Sequence, residues 1–167
     1  MLKNALQLAV AGTLVMAAST VGAAASPATT TLNVSANVAS NCLVTAVPLA
    51  FTDYDASGPV DGSANLSVRC SNGTPYTIKL GGGTNGSIAQ RLLKSGVNQL
   101  EYNLFTSSLR NQIWGEASGS TVGGIGAGMS INSANPHTVF GTITNSDANQ
   151  NAPTGTYTDT VAVTVEY

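Results

Sequence analysis

The chain has 167 residues, the length of one ordinary domain. Charged residues are only 8% of it, against about 25% in a typical soluble domain, which excludes a coiled coil or long-helix protein. Six Lys and Arg against eight Asp and Glu give a net charge of −2 and no electrostatic footprint for nucleic acid, while 43% hydrophobic content excludes disorder. The polar share is neutral instead, with 20 Thr, 17 Ser, 15 Asn and 18 Gly. That composition suits an exported β-protein.

Residues 1–25 read as a secretory signal peptide. Lys3 supplies the positive start, Ala5 to Val21 form an uncharged apolar run, and Ala23-Ala24-Ala25 offers a cleavage site. A membrane anchor is the weaker reading, because the run is short and no basic stop signal follows it. Export gives the cysteines a meaning. There are two, Cys42 and Cys70, and an even count in an exported chain reads as a disulfide. A metal or thiol site is the alternative, with only the distant His137 to complete its ligands.

Beyond residue 25 the apolar period is two almost throughout. Over Thr31–Ala39, Leu32, Val34, Ala36 and Val38 share one face, and Asn33, Ser35 and Asn37 the other. Strands are predicted around Asn65–Cys70, Tyr76–Leu80, Gln99–Thr106, Thr138–Thr144 and Thr160–Tyr167. In the last of these Val161, Val163, Val165 and Tyr167 keep one parity. Turn signals such as Ser57-Gly58-Pro59, Ser71-Asn72-Gly73, Gly81-Gly82-Gly83 and Ser95-Gly96 separate the runs. Short strands at this spacing predict an antiparallel sandwich or barrel. Ser87–Leu93 is the one helix-like patch. Residues 115–135 read as a Gly- and Ser-rich loop with a short strand near Met129–Ile131.

A search for chemistry finds no constellation. His137 is the only histidine and reads as a half-buried residue at a strand start rather than a triad member. Asp53, Asp55 and Asp61 cluster without the calcium-loop pattern and read as a solvated turn. Gly81-Gly82-Gly83 resembles a phosphate loop by glycine count alone. Trp114 is the aromatic best placed for a sugar face, but its surroundings suit the core better. The expectation is no catalytic residue, no metal, no cofactor, no nucleic-acid partner and no small-molecule substrate.

The two ends carry more information. An amphipathic segment begins just after the expected cleavage site, and the last run of alternation reaches Tyr167. A sandwich that finishes in this way leaves a sheet edge open for strand addition. Together with Asn41-Cys42-Leu43-Val44, Leu66-Ser67-Val68-Arg69-Cys70, Leu80-Gly81-Gly82-Gly83, Leu100-Glu101-Tyr102-Asn103-Leu104-Phe105 and the ending from Gly155 to Tyr167, these features resemble the spore coat protein U family. That family includes the Csu-type pilins of the archaic chaperone–usher pathway.

The resemblance implies an all-β fold, an incomplete immunoglobulin-like antiparallel sandwich completed by a donor strand from a neighbouring subunit or a chaperone. It divides the chain into the signal peptide, a donor-strand segment over 26–40 and a pilin-like sandwich over 41–167. Leu32, Val34, Ala36 and Val38 would be the donated row. Val161, Val163 and Val165 would border the acceptor groove, and the Tyr167 carboxylate would anchor the chaperone. Burying one Leu and two Val would contribute roughly 5–9 kcal/mol per junction before ordering costs. The implied partners are identical or related pilin subunits, a periplasmic chaperone and an outer-membrane usher. The implied destination is the cell surface, reached through the periplasm, with a role in adhesion and biofilm. A spore-coat protein using the same assembly chemistry is the near alternative. A self-contained secreted carbohydrate-binding module, with its first strand in its own sheet, is the distant one.

Overall fold

A computed structural model describes Gly22 and residues 24–167. Apart from Gly22, Ala24 and Ala25, the signal-peptide reading falls outside the described residues. Residues up to Ala36 form one unit and Asn37–Tyr167 a second. In the first, residues 24–36 have no regular secondary structure and are all exposed. The strand expected over Thr31–Ala39 is therefore not formed. Its alternation creates an apolar row, but a strand also needs neighbours to take its backbone N–H and C=O groups.

The second unit follows the period-two pattern. Strands β1 (Cys42–Ala46), β2 (Val60–Cys70), β7 (Asn135–Ile143), β5 (Asn98–Phe105) and β4 (Arg91–Ser95) form one antiparallel sheet in that spatial order. Strands β6 (Val122–Ile125), β3 (Pro75–Leu80) and β8 (Val163–Glu166) form a second, with β3 in the centre. The inward residues of both sheets make the core: Leu66, Val68 and Cys70 from β2, Tyr76, Ile78 and Leu80 from β3, Leu100, Tyr102 and Leu104 from β5, and Val139 and Ile143 from β7. Cys42 and Cys70 are direct partners across β1 and β2 and are joined by a disulfide.

Trp114 belongs to this core. It is fully buried, its backbone N–H donates to Leu104 O at 2.8 Å, and its ring Nε1 donates to Ile78 O at 3.0 Å. One residue, through its backbone and its ring, thus ties the two sheets together and satisfies its polar atom while doing so.

Two local expectations are corrected. Ser87–Leu93 contains no helix; Arg91–Ser95 is strand β4, and the only α-helix among the described residues is the single turn Asp147–Gln150, capped by Ser146. Arg91 is the reason, since it is fully buried and takes the inward position that an apolar residue would mark. Residues 115–135 hold a strand at Val122–Ile125 rather than near Met129–Ile131, where a 3₁₀ turn over Ile131–Ser133 lies instead. The Gly123-Gly124 centre of that strand has no side chains to display a parity.

Candidate functional site: an open groove

The chain approaches β8 from the other sheet. Thr158 exchanges both backbone hydrogen bonds with Lys94 of β4, Gly81 N–H then donates to Ala162 O, and β8 continues along β3 from Leu80↔Val163 to Thr77↔Glu166. Among the described residues β8 has no second strand neighbour, so its outer edge is open. An exposed edge of this kind is a template for strand addition.

Beside that edge lies an apolar groove of about 280 Å³. Its floor is the inner face of the five-stranded sheet, with Ala64, Leu66, Val139, Tyr102, Leu104 and Leu93. One wall is Ala46 to Leu49 with Phe51, and the other is Asp159, Thr160, Val161 and Val163. The alternation of the C-terminal run produces the second wall. Val161, Val163 and Val165 are half-buried against the core, while Thr160, Ala162, Thr164 and Glu166 face out. Of the residues expected to border the groove, Val161 and Val163 line it. Val165 packs on the core beyond it, and Tyr167 is exposed.

The first wall is set by two glycines. Gly62 of β2 and Gly141 of β7 are direct partners. A Cβ on Gly141 would lie 2.9 Å from the Phe51 ring, and one on Gly62 would lie 3.2 Å from a Leu49 methyl. The missing side chains leave a socket in the sheet face. Leu49 and Phe51 fill it, and Phe51 meets Tyr102 edge-on with ring centroids 6.2 Å apart.

Asp159 is the one carboxylate on the groove wall, and it is fully engaged. Tyr102 OH donates to its Oδ2 at 2.7 Å, and Thr84 donates to Oδ1 through its backbone N–H at 2.9 Å and its hydroxyl at 2.7 Å. Burial alone would push this carboxyl up. The bonds from Tyr102, Thr84 and the Thr160 backbone outweigh it and hold the group below the usual aspartate range. Burial and the same Asp159 push the Tyr102 phenol up. Gly83 makes the contact possible: its φ is +83°, and a Cβ there would sit 2.0 Å from Asp159 Oδ2. Of the triple glycine, Gly83 thus makes room for a side chain of the same protein, while Gly82 packs against the backbone of Ser87 and Ile88.

Behind the groove, Arg91 is 0% exposed. Its Nε donates to Gly81 O at 2.9 Å, Nη1 to Asn103 Oδ1 at 2.6 Å, and Nη2 to Trp114 O at 2.7 Å and Leu80 O at 3.3 Å. Burial pulls its pKa down, yet every bond it makes is to a neutral acceptor. The guanidinium fastens the β3 turn to the Trp114 segment and so holds the groove floor in place.

The remaining candidates are accounted for locally. His137 is half-buried, with Nε2 2.8 Å from Tyr76 OH, and Asn135 Nδ2 donates to that same oxygen at 3.0 Å. Asp53, Asp55 and Asp61 are exposed; Asp55 accepts from Ser57, and Asp61 accepts from Thr142. Of the expected donor row, Leu32, Val34 and Val38 are 86%, 84% and 88% exposed, and Ala36 is exposed too. Sequence reasoning missed the groove floor, Asp159 and Arg91. The floor residues alternate like any core strand, and only the topology places them under a gap. A lone Arg inside the apolar run at 91–93 was the available signal for the buried cation.

An antiparallel sandwich whose smaller sheet stops at an unpaired edge above an apolar groove is a pilin-like, incomplete β-sandwich. The model of the Spore Coat Protein U domain matches residues 28–164, and the chain belongs to that family. It is similar to Protein U of Myxococcus xanthus, at 32% identity with 98% of this chain and 99% of that one covered. Among solved structures it is similar to one described as the CsuC–CsuE chaperone–tip adhesion subunit pre-assembly complex from archaic chaperone–usher Csu pili of Acinetobacter baumannii. The identity is 33% and the TM-score 0.53. The match covers 78% of this chain and 40% of that one, so this chain spans less than half the length of that structural relative.

Proposed function

We propose that this protein is the structural subunit of a surface fibre, built by inserting the N-terminal segment of one copy into the groove of the next. The observation that carries the reading is the outer edge of β8, unpaired among the described residues, beside an apolar groove, in a chain whose own N-terminal apolar row is exposed. Residues 24–41 contain no charged side chain, so the segment can enter without desolvating an ion. Leu32, Val34, Ala36 and Val38 are the inserted row, and Val161 and Val163 line the receiving wall.

Before assembly a periplasmic chaperone covers the groove, and an outer-membrane usher exchanges it for the next subunit. The resemblance to a subunit in a chaperone complex supports this step. Tyr167, exposed just past β8, is the chaperone's anchor. The fibre stands on the cell surface, reached through the periplasm, where it supports adhesion and biofilm. A carbohydrate-binding module complete in itself fits less well, because the N-terminal segment forms no strand of its own.

A second reading, a spore-coat protein assembled by the same insertion, draws on the family description and the full-length similarity to Protein U. Labelling the protein on intact cells separates the two: fibres beyond the outer membrane support the first, and a continuous layer on spores the second.

The test of insertion is periplasmic expression of the full chain and of a variant lacking residues 26–39, run on SDS gels with and without boiling. The reading expects a boiling-sensitive ladder from the full chain and a single band from the variant. A stable monomer from the full chain would overturn it.

A further inference from the structure

The groove does not end where its first cavity does. A second cavity of about 620 Å³ continues beside it, under the chain that leads from Ala152 to Tyr157. Leu49, Phe51 and Leu93 line both cavities. They stand where the two cavities meet. Two of the three are fixed: Leu49 and Phe51 are seated on the Gly62–Gly141 pair, and Phe51 also rests on Tyr102. Close-packed side chains in such a socket have little room to move aside.

The exposed row of the N-terminal segment has a matching irregularity. Its members are Leu32, Val34, Ala36 and Val38, three branched side chains and one methyl. Along a strand they stand about 6.6–6.8 Å apart. A row that fills both cavities must pass Leu49, Phe51 and Leu93 at one position, and Ala36 is its smallest member. We infer that a second copy of this chain docks in one register, with its Ala36 over Leu49 and Phe51 and its Val34 and Val38 in the cavities on either side. Size complementarity fixes the register, as no charge or polar group in the row can. The inference rests on the proposed strand insertion and adds to it the residue that sets the alignment.

The test compares Ala36→Leu with Ser35→Leu in the full chain, on the unboiled-gel assay. Both residues are exposed in the unassembled chain, so neither substitution touches the core, and near-UV circular dichroism of each variant checks the fold. Overpacking against Leu49 and Phe51 should cut the Ala36→Leu ladder by at least about tenfold, while Ser35→Leu, on the face of the segment opposite the inserted row, keeps it. A ladder from Ala36→Leu equal to that of the parent, or an equal loss from Ser35→Leu, would overturn the register while leaving strand insertion intact. A parent chain that forms no ladder would remove both.

Discussion

Replacing Arg91 by Met probes whether the groove floor depends on a buried cation. The substitution keeps much of the apolar stem and removes a guanidinium that is 0% exposed. It leaves Gly81 O and Trp114 O without the partners they had at 2.9 and 2.7 Å, and Asn103 Oδ1 without its 2.6 Å donor. A buried acceptor left unpaired costs about 1–3 kcal/mol. Part of that is offset, because an ion no longer has to be desolvated. Two orphaned carbonyls with that offset give a net loss of about 2–5 kcal/mol. In urea, with a slope of about 2 kcal/mol per molar, the unfolding midpoint should fall by about 1–2.5 M. Arg91→Lys should lose less, since an ammonium keeps the charge and reaches one or two of the acceptors. A Met variant with an unchanged or higher midpoint would refute the reasoning, for it would mean that the carbonyls do not need the guanidinium.

Cys42→Ser with Cys70→Ser should lower stability by about 2–4 kcal/mol, as expected for releasing a loop with a sequence separation of 28; urea unfolding of the two oxidation states checks it. His137 is held neutral by burial, its pKa lowered from 6.5. Its contribution is therefore complete above about pH 6.5 and is lost as the pH falls from there towards the lowered value. His137→Gln should flatten that part of the thermal-stability profile. Asp159 has the same sign at lower pH. Its carboxylate stabilises the fold above the ordinary value of 3.8, and that share is lost as pH falls through the lowered one. Asp159→Asn should reduce the dependence below pH 4 and weaken the fold at neutral pH, by about 1–3 kcal/mol for bonds to a charged acceptor.

Much of the fold was legible because strands with one buried face announce themselves. Leu66 and Val68, Ile78 and Leu80, and Leu100 and Leu104 alternate in sequence and are buried in the structure. The disulfide was legible from compartment chemistry. What failed was local: Arg91 inverted the polarity of β4, and the glycines of β6 carried no pattern. The groove itself was out of reach of pattern reading. Val139 and Tyr102 look the same under a covered sheet as under an open one, and the difference is the order β6-β3-β8, with no further strand paired to β8 among the described residues. Asp159 was hidden for a similar reason, since its partners Thr84 and Tyr102 are 75 and 57 residues away.

The central claim is that the apolar row of one copy occupies the groove of another. A photoreactive phenylalanine analogue at Val34, in assembled protein mixed from isotope-labelled and unlabelled chains, tests it most directly. The account predicts cross-links between chains, to Leu66, Leu104, Val139, Val161 or Val163. Cross-links confined to the analogue's own chain, or falling on the outer faces of the sheets, would contradict it.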